Sequence, residues 1–498
     1  MELPANFAHD LDHFVHRAMQ TWNVPGLALV VVKDDQTVIA KGYGVREINK
    51  TEQVDKHSLF AIGSNTKAFV AAAIGLLVQD GKLMWDDPVT KHLPDFKMYD
   101  PHASDLLTVR DLLCHRSGLG TWAGDVLLYS AAPGAEIARR LRHLKPDHSF
   151  RGQYGYSNLM FIVAGEVIQT VSGMPWYEFV QKRIFEPLGM QDSVTGTGFL
   201  TDGANIAIPH EDIKGSVQAL PYGKKKSNPR ASGSILASVA DISLWLRMQL
   251  NNGTLDGRSI INADIIAETH TPQTPIKLAA IEKELFPSRH FSAYGLGWFL
   301  SDIHGRFVVR HTGGVDGMLS SVVMIPEERI GIAVFTNKLP NSAYSGIPHF
   351  ITEKLLGVPA QDWVAIYRDV ERREGEENVV KAARSQAEKN SARAKDTHPS
   401  LALEQYAGAY ENALLGGATI SVDGGGFHIQ LHVSESLSGT LEHWHYDSFV
   451  CKWDNPVLGE SLIPFITDGQ GQVAEFRVKI REDWIDPVEH VFKKASQE

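Results

Sequence analysis

The stretch GSNTKAFVAAAIGLLV, residues 63–78, decides how the rest of the chain is read. It joins a Gly-Ser turn to a run of small and apolar residues that ends near Asp80-Gly81, where Gly supplies a helix stop. The apolar part, Ala68 to Val78, is about half as long as a membrane span, so it predicts a helix buried in a globular domain. Ser64 and Lys67 stand at the mouth of that helix. Their spacing is close to one helical turn, which puts hydroxyl and amine on one face within hydrogen-bonding reach. Beside Ala68, Phe69 and Val70 the amine is expected to lose hydration, which disfavours its charged form and lets it act as a base toward the hydroxyl. The helix N-terminus adds the positive end of a dipole where an oxyanion would form. One Ser-x-x-Lys is expected by chance about once in a chain of this length, so the pair needs support from elsewhere.

On either side, the pattern outlines a mixed fold. Gly26 to Gly44, GLALVVVKDDQTVIAKGYG, is two strand-like runs around Asp34-Asp35, a hairpin signature. Helical periodicity appears at Leu159 to Val171 and Ile242 to Leu250. Short β-type runs follow at Tyr294 to Leu300, Phe307 to Arg310, Ser320 to Ile325 and Ile330 to Thr336. Strands, then helices, then consecutive strands predict an α+β domain, with an antiparallel sheet flanked by helices and a helical subdomain.

At 498 residues the chain exceeds one ordinary core, and two domains are expected, over residues 1–365 and 401–498. Residues 366–400 are dense in charge and free of aromatic side chains except Tyr367, which reads as a linker with partial helix. Beyond them, Gly-rich turns alternate with short aromatic runs, the texture of a small all-β barrel or sandwich. No fixed-period repeat is present. Hydrophobic residues at 43% and charged residues at 21% are ordinary for a globular protein, and a net charge of -11 argues against a nucleic-acid surface. The short basic run Lys224 to Lys226 reads as a solvated loop tip.

Only two cysteines occur, Cys114 and Cys451, in regions assigned to different domains, so no disulfide framework is expected. His443 and His445 have the strand spacing of a metal pair, but no third ligand has evident spacing; a packing or rim role is expected, with no metal and no cofactor. The N-terminal MELPANFAHDLDHF has no apolar signal core, so the chain as given reads as cytoplasmic with no membrane partner, and a mature exported form would read the same way.

A search for reaction motifs leaves few options. No Ser has Gly at both second-flanking positions, and there is neither HExxH nor GxxxxGK. Two signals join the Ser-x-x-Lys. Tyr156-Ser157-Asn158 stands in GQYGYSNLMF, between a Gly-rich loop and a helix, and His311-Thr312-Gly313-Gly314 stands among the later strands. SNTK, YSN and HTG in this order resemble the three active-site elements of the serine β-lactamase and penicillin-binding-protein family, which includes class C β-lactamases, DD-peptidases, D-aminopeptidases and esterases. WDDPVTKHLPDF, LTVRDLLCHRSGLG, ASVADISLWL and YGLGW are similar to that family too, and the likeness runs from about residue 10 to 360.

The resemblance implies roles. Ser64 is the nucleophile that forms an acyl-enzyme, Lys67 accepts or relays its proton, and Tyr156 passes a proton to the leaving group and later activates water. Asn158 orients Lys67 and meets the substrate amide, and the backbone N–H groups of Ser64 and Gly314 form the oxyanion hole. Gly313 and Gly314 let the strand approach substrate closely, with His311 and Thr312 beside them. Most class C β-lactamases carry Lys where this chain has His311, and a neutral imidazole holds a substrate carboxylate less firmly than a permanent cation does. That departure favours peptide, amide or ester substrates, D-amino-acid-containing peptides first, with β-lactams as acylating ligands. A carboxylesterase, a weak β-lactamase and a penicillin-binding protein with little turnover are the alternatives. Cys114 to Gly120 is implied to be a packed helix end and loop lining the cleft. The C-terminal part, with YAGAYEN and LEHWHYDSF, resembles the lipocalin-like barrel of D-amino-acid-specific relatives, where it restricts access or assembles homo-oligomers.

Overall fold

In the computed structural model, residues 3–222, 229–315, 317–424, 426–455, 458–480 and 486–495 are described; the basic run Lys224 to Lys226 lies outside them. Cα packing divides the chain into two compact units, each discontinuous in sequence. The first comprises Met1–Pro94, Leu106–Ser117 and Met160–Arg372, and the second Asp95–Asp105, Gly118–Leu159 and Arg373–Glu498. Division at 365 and 401 follows linear order, whereas packing draws two earlier segments into the unit that holds the C-terminal strands.

The first unit is built on an eight-stranded antiparallel sheet. Its strands run in the order Gln36–Gly44, Gly26–Lys33, Ile330–Thr336, Met318–Ile325, Arg306–Val315, Phe299–Ile303, Ser292–Tyr294 and Thr274–Ile276. The hairpin turn is Asp34-Asp35, with φ of 51° and 65°, the left-handed pair that matches strand twist in a two-residue connection. Strand Gly26–Lys33 is buried on both faces, which its unbroken apolar run foretells. Leu27, Leu29 and Val31 pack with Ile330, Ile332 and Val334 against helices Phe7–Trp22 and Ala343–Leu356. On the opposite face lies helix Val239–Leu250, capped by the Ser238 hydroxyl accepting from the Asp241 N–H. A Cβ at Gly331 would come within 3.1 Å of Leu250, so this glycine sets how closely helix and sheet approach.

Helix Thr66–Gln79 is buried on nearly every side, and a single 3₁₀ turn, Gly63–Asn65, precedes it. It ends in a glycine-terminated cap: Gly81 has φ of 68°, and the Lys82 N–H bonds the Leu77 carbonyl at 2.9 Å. Phe69 stacks on Trp245, with ring centroids 4.1 Å apart.

One expectation is corrected. Tyr294 to Leu300 is not one strand but two, because Gly295 and Gly297 fold YGLGW into a turn closed by Gly295 N–H to the Trp298 carbonyl at 2.8 Å.

In the second unit the C-terminal residues form a closed eight-stranded antiparallel barrel, from Gly408–Asn412 to Glu489–Lys494. The alternating burial of strand Gly426–Leu431 turns every second residue inward. Tyr406, Tyr410, Phe427, Phe449, Phe465 and Phe476 pack as its core, mostly edge to face, with Phe465 and Phe476 tilted at 49°. The residues read as a partly helical linker are helical over Trp363–Ala392.

His443 and His445 do not keep the regular strand spacing read from the sequence. A bulge breaks strand alternation between them, His443 Nε2 lies 2.9 Å from the Tyr446 carbonyl, and His445 Nδ1 accepts from the Ala394 N–H at 3.2 Å. Cys114 and Cys451 are both free and buried.

Candidate active site

Ser64 lies in the 3₁₀ turn and Lys67 in the first turn of the following helix. The Lys67 amine is 2.9 Å from the Ser64 hydroxyl and donates to the Ser232 carbonyl at 2.8 Å, while its side chain is wholly buried. It also lies 5.4 Å from the centre of the Phe161 ring. Burial strips the amine of water, and the ring face and the carbonyl are the groups that meet it instead. The backbone of Lys67 is pinned from the far side. At Gly297, where φ is 78°, a Cβ would stand 2.8 Å from the Lys67 carbonyl oxygen, so the YGLGW turn fits there only with glycine.

Strand Arg306–Val315 brings His311 to Gly314 against the Ser64 turn. A Cβ on Gly63 would lie 2.8 Å from the Gly314 nitrogen, and one on Gly313 would lie 1.9 Å from the Ile62 carbonyl oxygen. This near-contact of two backbones explains the glycines. The pairing also changes along the strand: Arg306 to Arg310 pair with Phe299–Ile303, but from His311 onward the register with that neighbour stops and only Met318 to Val322 remain as partners. Residues 311–315 therefore present one backbone edge not paired to that strand.

The pleat sorts the four motif residues. His311 and Gly313 are buried, while Thr312 is partly exposed and Gly314 exposed. The His311 ring is turned into the core. Its Nδ1 lies 2.6 Å from the Thr312 carbonyl and its Nε2 2.8 Å from the Tyr294 hydroxyl, which fits an imidazole protonated on Nδ1 and accepting at Nε2. Burial, with the Lys67 charge adding to it, pushes its pKa down to about 3. His115, also fully buried, has its pKa depressed well below the usual value by burial and then by Lys67; its ring lies 4.4 Å from Tyr294 and 5.5 Å from Phe161. It is a packed residue.

Tyr156 and Asn158 belong to the second unit, and the loop Gly118 to Asp125 holds them there. The Tyr156 N–H donates to the Thr121 hydroxyl at 3.1 Å, and the Tyr156 carbonyl accepts from the Trp122 N–H at 2.9 Å. The Asn158 amide donates to the Asp125 carboxylate at 2.6 Å. Gly155 packs on the same loop so closely that a Cβ would lie 1.9 Å from the Leu119 carbonyl oxygen.

Sequence reading missed Ser232, Tyr294, Thr121 and Asp125 as supports of the motif residues. It also missed a bond between the Asn65 amide and the Ser320 hydroxyl at 2.7 Å, which ties the serine turn to strand Met318–Ile325. Of these, only Tyr294 carried a signal, since YGLGW was already singled out.

The chain is similar to known proteins. The Beta-lactamase family model matches residues 11–356, and a domain of unknown function, DUF3471, matches residues 392–492. An unguisins hydrolase, ungD, of Aspergillus violaceofuscus (strain CBS 115571) is 29% identical over 391 residues, 72% of this chain and 67% of that protein. Protein flp of Staphylococcus aureus (strain N315) is 25% identical over 342 residues, 67% of this chain and 63% of that protein. The octameric penicillin-binding protein homologue from Pyrococcus abyssi superposes with a TM-score of 0.62 at 23% identity, covering 98% of this chain and 100% of that one. SurE with D-Leu superposes with a TM-score of 0.57 at 18% identity, covering 98% of this chain and 99% of that one. At these identities the structural likenesses concern the fold.

Proposed function

The chain belongs to the β-lactamase family, and from that premise we propose that it is a serine hydrolase of peptide or amide bonds, D-amino-acid-containing peptides first, working through an acyl-enzyme on Ser64. The observation that carries the reading is the 2.9 Å contact between the Ser64 hydroxyl and a Lys67 amine removed from water.

The chemistry follows from those positions. The Ser64 oxygen attacks the scissile carbonyl carbon as its proton passes to the neutral form of the Lys67 amine. Negative charge develops on the carbonyl oxygen, and the Ser64 and Gly314 N–H groups are assigned to it; one such donor typically supplies about 3–4 kcal/mol of barrier lowering. Collapse breaks the bond to the leaving nitrogen, which takes a proton. That relay is assigned to Tyr156 on the strength of the Tyr156-Ser157-Asn158 motif. Water then attacks the ester carbon and loses a proton to the same relay, and the Ser64 oxygen regains its proton as the acid departs. The backbone edge at residues 311–315 suits an extended peptide, which would add as a strand.

The neutral His311 ring supports the choice of substrate class. Buried and turned to Tyr294, it puts no cation at the strand edge for a substrate carboxylate, which favours amides whose acyl side is read along that edge over β-lactams. Hydrolase activity on unguisins is named for one relative and D-Leu for one structural neighbour, and both accord with amide chemistry. The test is turnover of D-alanine p-nitroanilide, its L counterpart, p-nitrophenyl acetate and a chromogenic cephalosporin by the purified protein. Faster turnover of the D-anilide than of the L-anilide and the cephalosporin is expected. Ester hydrolysis with no measurable anilide turnover would make the protein a carboxylesterase instead.

A further inference from the structure

Within the second unit, a barrel residue reaches the loop that holds the Tyr156 motif. Asp486 is fully buried, and its Oδ1 accepts from the Gly124 N–H at 3.1 Å and from the Val488 N–H at 3.1 Å. Its Oδ2 lies 3.0 Å from Nε2 of His490, which is itself buried on strand Glu489–Lys494. A carboxylate so far from water stays there only with its oxygens satisfied, and here one of those partners is an amide more than three hundred and fifty residues away in sequence.

That amide is well placed to matter. Gly124 has φ of 76°, a conformation that side chains resist, and a Cβ there would also stand 2.9 Å from both Leu144 and Leu159. On either side of it are the groups that grip the motif: Thr121 and Trp122 hold the Tyr156 main chain, and Asp125 holds the Asn158 amide. Trp122 keeps φ of 62°, rare for a bulky side chain, so the loop's shape is imposed by its contacts and not by its own preference. Arg140 makes a second link, donating to the Leu414 carbonyl at 3.2 Å.

We propose that Asp486 of the barrel is a positioning residue for catalysis, fixing the Gly118 to Asp125 loop and through it the orientation of Tyr156 and Asn158. The barrel on this account is part of the catalytic apparatus. The inference rests on the reading of Tyr156 as the relay that protonates the leaving group. Expulsion of an anilide nitrogen needs that proton, whereas nitrophenolate leaves without it. Loosening the loop therefore slows acylation by an amide selectively, while deacylation, in which the same relay activates water, slows for both substrates.

The experiment compares kcat and KM for D-alanine p-nitroanilide, and the pre-steady-state burst of nitrophenolate from p-nitrophenyl acetate, in the full-length wild type, Asp486→Ala, Asp486→Asn, Gly124→Ala and Ser64→Ala, with circular dichroism and melting curves for each. Asp486→Ala is expected to lower kcat for the anilide by ten- to a hundredfold while the nitrophenolate burst rate, which reports acylation alone, stays within threefold. Asp486→Asn, which keeps the acceptor for Gly124, should recover most of the loss. Gly124→Ala disturbs the loop from its own side, where a Cβ meets Leu144 and Leu159, and should reproduce the same split. Folded Asp486→Ala and Gly124→Ala proteins whose ratio of anilide kcat to nitrophenolate burst rate matches wild type would overturn the proposal. If Ser64→Ala kept both activities, the parent reading would fall instead, and the two failures are distinguishable.

Discussion

The Lys67 amine meets the Ser64 hydroxyl at 2.9 Å and has no exposure to solvent. A hydroxyl with a normal partner in water gains nothing from a lysine, whereas here the amine is screened from bulk water by Phe161 and by the helix on which it stands.

Replacing Lys67 by Met separates catalysis from stability. Methionine fills much of the buried volume and removes a desolvated amine, so melting temperature is expected to change little or to rise. Loss of the proton acceptor should lower kcat/KM by about 10²–10⁴. Melting curves alongside steady-state kinetics check both halves.

The two glycines of the strand should behave differently although they adjoin. A Cβ at Gly313 would overlap the Ile62 carbonyl at 1.9 Å and the Ser320 hydroxyl at 2.6 Å, while one at Gly314 meets only Leu319 at 3.3 Å. Gly313→Ala is expected to destabilise the fold by about 3 kcal/mol or more. Gly314→Ala should stay within about 1 kcal/mol of wild type, and chemical denaturation distinguishes the two.

Buried histidines set an acid limit on stability. His311 and His349 are pushed down to about 3 and His270 to about 4, each chiefly by burial. Below about pH 6.5 the unfolded chain takes up protons at these rings and the folded chain does not, so stability falls as pH drops from about 6.5 toward those values. The contribution is fully present above that range. His311→Gln removes one such ring and should flatten the slope between pH 4 and 6 by up to about 1.4 kcal/mol per pH unit, read from denaturation midpoints across that range. The pH–rate profile should show no inflection from His311 between pH 5 and 8.

Thiol chemistry gives a simple check on packing. Both cysteines are buried, and burial pushes the Cys114 thiol up to about 12 and the Cys451 thiol higher still. Native protein should therefore resist iodoacetamide at pH 8, and denatured protein should take up two equivalents, counted by mass.

Much of the catalytic unit could be read from the chain because its determinants are local. Ser64 and Lys67 are one turn apart, Asp34-Asp35 makes a turn that its own composition favours, and Ile330–Thr336 is a continuous apolar run whose ends coincide with the strand. What escaped is held together across long separations. Asp125, Ser232 and Asp486 are single residues without periodicity around them, and their value comes only from the group each meets in space. YGLGW was misread as strand because its aromatic and apolar residues have high strand preference, and the two glycines that turn the backbone outweighed it. The His311 ring was expected at the substrate; the pleat, which buries alternate residues, turns it to Tyr294.

Intact-protein mass spectrometry with peptide mapping, after incubation with a serine-directed fluorophosphonate, addresses the nucleophile most directly. A single adduct on the peptide containing Ser64, absent from Ser64→Ala together with all hydrolysis, is the predicted result. An adduct on another residue, or hydrolysis that survives in Ser64→Ala, would contradict it.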